Sequence, residues 1–244
     1  MTGSMYGLVT AAGLGTRSGL DGKLRKELLP VYDRRDGRLV LRPMIDCVIT
    51  RMLQVGCEHV VCVLDPNDTC TESYVSRNFP ECEIVFQREK TGYGEAVRIG
   101  LSRVKGSKFL LNAGDGILLK TRSLASLMEA GSRADMALCL MEVDDPRRYG
   151  VAVVDGERVT GVEEKPHTPK SKLAMCAVYV LPTSIRSKLA GRQELTPAID
   201  EAIRGGLACT YVRVEREDWA SVGTKESYLD VLRRSYDSST TFSP

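Results

Sequence analysis

Two cations and one carboxylate stand out by their neighbours. Arg17 follows Gly13-Leu14-Gly15-Thr16, Lys26 opens Lys26-Glu27-Leu28-Leu29-Pro30, and Asp115 sits in Asn112-Ala113-Gly114-Asp115-Gly116. The first two share one stretch, Tyr6 to Val31, in which an apolar run from Tyr6 to Ala12 breaks into the glycine loop. A strand that ends in glycines exposes backbone N–H groups, and such groups bind anions. Arg17 adds a rigid fork of donors suited to phosphate, and Lys26 adds a compact positive charge at the far side of the loop. The spacing suits a triphosphate seated on Ala12, Gly13, Gly15 and Thr16. Two other phosphate loops are excluded. Ser18 stands where the third glycine of a dinucleotide fingerprint belongs, and Gly22-Lys23-Leu24 does not supply the G-K-[ST] of a P-loop. The alternative is an ordinary strand-to-helix turn; Thr16-Arg17 and the later Lys-Glu-Leu-Leu-Pro weigh against it. Asp115, straight after an apolar run, can hold Mg2+ against phosphate oxygens, because hard oxygen ligands suit that ion. Its alternative is a turn aspartate that stabilises its own loop.

Ala12-Gly13-Leu14-Gly15-Thr16-Arg17 followed by Lys26-Glu27-Leu28-Leu29-Pro30 resembles the signature of the sugar-1-phosphate nucleotidylyltransferases. That family includes the uridylyl- and thymidylyltransferases of glucose-1-phosphate. The resemblance implies an α/β, Rossmann-like, mostly parallel (mixed) sheet with helices on both faces, of the nucleotide-diphospho-sugar transferase type. It implies condensation of UTP or dTTP with a sugar-1-phosphate, glucose-1-phosphate above all, with pyrophosphate as the other product. It favours Mg2+ on Asp115, next to Gly114 in the nucleotide site. Phe86 to Ala96 resembles the family's base-reading segment. There the Gln87 amide, both donor and acceptor, would pair with a pyrimidine edge, and Gly92 and Gly94 would let the backbone approach a flat ring. Tyr149-Gly150-Val151 and Glu163-Glu164-Lys165-Pro166 resemble the sugar-phosphate site, with Glu164 on sugar hydroxyls and Lys165 on the sugar phosphate. An exposed glutamine in a loop-to-helix turn, and a solvated charged turn before a proline, are the plainer readings of these two segments. One departure stands out. Relatives usually carry Trp-x-Asp-x-Gly-Thr, whose aspartate is the second metal ligand, whereas this chain reads Trp219-Ala220-Ser221-Val222-Gly223-Thr224. Mg2+ could rest on Asp115, water and substrate phosphates, or Asp218 or Glu217 could reach in, or the chain could be a non-catalytic nucleotide-sugar binder.

The elements that must position these residues follow from periodicity. Apolar runs at 59–64, 83–86, 108–112 and 136–141 are strand-sized. Helical spacing marks 42–55, with Pro43 in the first turn and Gly56 as the stop, then 93–104 and 123–130. Strand and helix alternate, so ligands are expected beyond the carboxyl ends of a sheet, where Gly13, Gln87 and Asp115 converge on one rim. Asp33 to Arg38 is a polar surface excursion, and Asp65-Pro66-Asn67-Asp68 breaks a strand. The second half starts with a hairpin, 151–154 and 158–163, turned at Asp155-Gly156. A strand at 173–181, a helix capped by Thr196 before Pro197, a strand at 209–214 and a helix at 225–236 complete it.

The 244 residues suit one domain, 1–236, with a nucleotide-binding half at about 5–145, a sugar-phosphate half at about 146–236 and a disordered tail at 237–244. No acyltransferase extension is expected. Charge is nearly balanced, 34 basic against 32 acidic residues, and no basic stripe supports nucleic-acid binding. No segment is long and apolar enough for a membrane span, and Met1 to Met5 lacks a secretory pattern. Eight cysteines without a C-x-x-C pair, mostly inside apolar runs, suggest buried free thiols in a reducing cytoplasm. His59 and His167 support neither a triad nor a zinc site; His59 suits a structural place and His167 an exposed one. A homo-oligomer is left open.

Overall fold

The computed structural model describes residues 4–13, 15 and 24–240. In chain order the elements are β1 (Met5–Ala11), β2 (Pro30–Arg35), β3 (Arg38–Pro43), α1 (Met44–Gln54), β4 (Cys57–Leu64), α2 (Thr69–Asn78), β5 (Glu83–Phe86) and α3 (Tyr93–Gly100). Then come β6 (Lys108–Ala113), β7 (Gly116–Leu118), α4 (Thr121–Arg133), β8 (Met136–Glu142), β9 (Gly150–Asp155) and β10 (Arg158–Glu164). The chain ends with β11 (Leu173–Pro182), α5 (Thr196–Arg204), β12 (Cys209–Val214), β13 (Trp219–Ser221) and α6 (Lys225–Thr240).

Nine strands form one sheet in the order β5-β4-β1-β6-β11-β8-β12-β10-β9. β5, β4, β1 and β6 run parallel, and β12 is parallel to β8, while β11 and the β9–β10 hairpin pair antiparallel. Both halves of the chain therefore share a sheet. Side chains along a strand alternate between its two faces. On β8, Ala137 and Cys139 join a core beneath α1, α4 and α6, whereas Leu138 and Leu140 join one beneath α3 and α5. That alternation explains why helices cover both faces. Among the described residues no helix is long and apolar enough to cross a membrane. All eight cysteines are free thiols; only Cys70 is exposed and Cys82 is half-buried.

Two local expectations gain detail and two need correction. The polar stretch at 33–38 is the tip of the β2–β3 hairpin, turned by Asp36 (φ 50°) and Gly37 (φ 76°). α2 has few apolar residues to mark it. The Asp65–Asp68 break is its start: the Asp68 carboxylate accepts the Thr71 N–H at 3.0 Å as an N-cap. α5 is preceded by Leu195 rather than capped by Thr196, whose hydroxyl instead donates to Glu164. Finally, residues 237–240, expected in a disordered tail, continue α6, and the Thr240 hydroxyl donates to the Tyr236 carbonyl at 2.9 Å; residues 241–244 lie outside the described residues.

Candidate active site

Because β5, β4, β1 and β6 are parallel, their carboxyl ends open on one rim, carrying Gln87, Asp65, Ala12-Gly13 and Asp115 in turn. A cavity of about 320 Å³ lies there. Its walls include Ala12, Gly13, Lys26, Gln87, Gly92 and Asp115, six of the residues singled out from sequence. Thr16 and Arg17 lie outside the described residues. Gly15 is described, with φ 64°, a left-handed conformation suited to glycine.

The glycine loop is anchored by charges that the sequence reading missed. Arg25 donates to the Gly13 carbonyl at 3.1 Å and to the Asp65 carboxylate at 2.7 Å. Lys90 donates to the Ala12 carbonyl at 3.0 Å and pairs with the same Asp65 oxygen at 2.8 Å. Arg25 Nε also stands 3.8 Å from Asp68. Asp65 is 2% exposed and Arg25 is buried. Burial raises the Asp65 pKa, but the Lys90 hydrogen bond, the Asn67 N–H and the charges of Lys90 and Arg25 outweigh it, so the carboxylate sits below its usual range. With their carbonyls captured, Ala12 and Gly13 are pinned at the cavity mouth. The available signal was a strand, 57–64, ending in Asp at the same rim as the loop.

Lys26, on a single 3-10 turn (Lys26–Leu28), forms an ion pair with Asp115. Next to it, Glu27 is buried, and desolvation raises its pKa to about 7 against the pull of Lys26, with Asp115 adding to the rise. Ser221 sits beside this pair: it is the register partner of Gly116 in the β7–β13 ladder, and the following Val222 N–H donates to the Asp115 carbonyl at 2.9 Å. Neither acidic substitute considered for it reaches in. The Asp218 carboxylate is buried and accepts the Lys120 N–H at 2.7 Å and the Ser123 hydroxyl. Three residues along a strand is about 10 Å, so Asp218 serves the start of α4. Glu217 lines a different cavity with Lys120, Arg122 and Arg234.

Gln87 is buried, with Nε2 donating to the Gly92 carbonyl at 3.0 Å. Gly92 has φ 107°, and a Cβ there would stand 2.4 Å from the Gln193 carbonyl oxygen. The Gly94 N–H donates to that same oxygen at 2.7 Å. These glycines thus admit the 192–194 segment, a reason for glycine other than the expected approach of a flat ring. Tyr93 and Ala96, at the start of α3, form the remaining apolar wall.

Tyr149, Gly150, Glu164 and Lys165 are brought together by the β9–β10 hairpin, where Gly150 pairs with Glu164 and the Lys165 N–H donates to the Tyr149 carbonyl at 3.0 Å. They do not line the nucleotide-side cavity. Lys165 pairs with Glu164 at 2.7 Å and Glu194 at 3.5 Å, and the Glu164 hydrogen bond raises its pKa. Its φ of 43° places a side-chain-bearing residue in the left-handed region. The 192–194 segment touches both groups: Gln193 meets Gly92 and Gly94, and Glu194 meets Lys165. His59 is exposed on β4 against the Tyr6 ring, and His167 is exposed.

A parallel-strand rim thus gathers a glycine loop, a lysine–aspartate pair and an apolar wall at one cavity. The family model described as nucleotidyl transferase matches residues 6–238, and the chain belongs to that family. The resemblance to sugar-1-phosphate nucleotidylyltransferases read from the glycine loop is borne out. The chain is 25% identical over 249 residues to a glucose-1-phosphate thymidylyltransferase of Mycolicibacterium smegmatis, covering 93% of this chain and 80% of that one. It is 28% identical over 226 residues to the UTP–glucose-1-phosphate uridylyltransferase AglF of Haloferax volcanii, covering 86% and 88%. The solved structure of an Acinetobacter baumannii UDP-glucose pyrophosphorylase has the same fold, with a TM-score of 0.78 over 95% of this chain and 92% of that one at 23% identity.

Proposed function

We propose that the chain transfers a nucleotidyl group from UTP or dTTP to glucose-1-phosphate, releasing pyrophosphate. The observation that carries this reading is the convergence of Gly13, Lys26, Gln87 and Asp115, from separate segments, on one cavity. The N-terminal half, about 5–145, would hold the nucleotide, and the half from about 146 to 236 the sugar phosphate. A cytoplasmic setting would keep the eight thiols reduced.

In this reading the sugar phosphate oxygen attacks the α-phosphorus in line. A new P–O bond forms while the bond to the bridging oxygen breaks, and the electron pair leaves with pyrophosphate. Positioning and charge stabilisation do the work, and no covalent enzyme intermediate is needed. The amides of Ala12, Gly13 and Gly15 with Thr16 and Arg17 hold the triphosphate, and Arg17 meets the leaving pyrophosphate. Lys26 turns from Asp115 to the α-phosphate. Gln87 reads the base edge above Gly92, near Gly114. Glu164 accepts from sugar hydroxyls, Lys165 meets the sugar phosphate, and Tyr149-Gly150 lines that site.

Donors near Asp115 are hard oxygens, a carboxylate and a neighbouring serine, which fits Mg2+. Among the described residues no cluster of three or more His, Cys, Asp or Glu groups would hold a metal by itself, so phosphate oxygens and water would complete the shell around Asp115. The ion would supply charge stabilisation on the phosphates.

The test is pyrophosphate release across a matrix of nucleoside triphosphates and sugar-1-phosphates. UTP or dTTP with glucose-1-phosphate should give turnover that EDTA abolishes. No release from any pair would refute the reading.

A further inference from the structure

Glu27 lies on the wall of the same cavity, yet it has no part in the chemistry just described. It is 2% exposed, and its Oε2 makes no hydrogen bond among the described residues. A buried carboxylate oxygen without a partner is costly, and native structures keep such a group only for a reason. Its position is specific: a Cβ added to Gly114 would stand 3.3 Å from Glu27 Cγ, so the side chain packs against the backbone just ahead of Asp115. The Thr10 and Tyr93 hydroxyls, which neighbour each other, complete the polar part of the same wall. A buried carboxylate oxygen left open on a cavity wall points to a polar guest rather than to a packing fault.

Charge balance narrows the guest. Lys26, paired with Asp115, is the cation adjacent to both carboxylates. Once Lys26 turns to a phosphate, Asp115 and Glu27, close enough for the one to disfavour the charge of the other, lose the cation that the described residues place beside them. Like charges that close repel strongly in a partly dry site. Ser221, beside Gly116, offers only a neutral hydroxyl. A divalent cation with hard-oxygen preference answers this arrangement, keeping water and phosphate oxygens in its other positions. We propose that Glu27 is a second carboxylate ligand, with Asp115, of the divalent cation, standing in for the carboxylate that position 221 lacks. This rests on the reading of the cavity as the nucleotide site.

The test is Mn2+ titration of UTP-saturated protein, followed by electron paramagnetic resonance, for the parent, Glu27→Gln and Glu27→Asp. UTP binding in EDTA and thermal unfolding are recorded on the same samples. Glu27→Gln should bind UTP in EDTA like the parent but take up Mn2+ at least tenfold more weakly, with Glu27→Asp in between. Metal-free Glu27→Gln should unfold at or above the parent temperature, since it sheds a buried carboxylate, and Mn2+ should raise its unfolding temperature less than the parent's. Parent-like Mn2+ affinity in Glu27→Gln would overturn the inference and leave the nucleotide site standing. A lower metal-free unfolding temperature would overturn it too, by showing a structural carboxylate. A parent that binds neither UTP nor Mn2+ would remove the site and the inference together.

Discussion

The two ends of the site are built by different means. At the nucleotide end, buried Arg25 holds the Gly13 carbonyl and Lys90 the Ala12 carbonyl, and both pair with buried Asp65. At the sugar end, Tyr149 is 37% exposed, and the Lys165 side chain is 54% exposed among the carboxylates of Glu164 and Glu194. Removing one partner of a buried pair strands the other charge and costs about 3–5 kcal/mol, whereas an exposed pair is worth about 0.2–1 kcal/mol. The lesson is one of division. The proposed triphosphate seat is held by ion pairs to buried Asp65 before any ligand arrives. The proposed sugar seat is solvated, and its exposed ion pairs can rearrange at little cost.

That contrast can be broken at either end. The largest effect is expected from Asp115→Asn, which keeps the shape and removes the charge. Turnover should fall about 10²–10³-fold, the range for loss of one preorganised electrostatic contact, while the unfolding temperature changes little. Steady-state pyrophosphate release and a thermal melt of the same sample decide it. Next comes Asp65→Asn, which leaves Arg25 buried with only the distant Asp68. Stability should drop by about 3 kcal/mol, seen as a lower urea midpoint at unchanged slope, with weaker UTP binding as the loop loosens.

The same residue carries a pH signature. The folded pKa of Asp65 lies below the ordinary 3.8, so the unfolded chain binds its proton first as pH falls. Its contribution is present above about 4 and is lost as pH drops through the folded value. The stability gap between parent and Asp65→Asn should therefore shrink in acid and stay constant from pH 5 to 8. The smallest effect belongs to the solvated end. Lys165→Ala should raise the KM for glucose-1-phosphate about tenfold, roughly 1.4 kcal/mol of binding, and leave the unfolding temperature and the KM for the nucleotide nearly unchanged. A large stability loss there would erase the distinction between the two ends.

Much of this was legible in the chain. The strand ends at Ala12, Phe86 and Asn112 announced themselves as short apolar runs, and the rule that ligands sit beyond such ends placed Gly13, Gln87 and Asp115 together. The β9–β10 turn at Asp155-Gly156 was legible for the same local reason. What escaped depends on partners far apart in sequence. Asp65 meets Arg25 across forty positions, and nothing local marks either as buried. Asp218 near Ser221 invited the idea of a substitute ligand, but the β7–β13 register turns its carboxylate to Lys120. β7 and β13 are too short for periodicity to register, and α2 is too polar. Gly92 and Gly94 drew notice for a flat ring, and the close neighbour the structure shows them admitting is the chain's own 192–194 segment.

The central claim is that the cavity at the carboxyl ends of β5, β4, β1 and β6 seats a nucleoside triphosphate. A crystal structure with UTP and Mg2+ tests it most directly. The expected result is density for the phosphates against Gly13 and Lys26, the base beside Gln87, and Lys26 moved off Asp115. Phosphates bound at another cavity, with the Lys26–Asp115 pair intact, would contradict it.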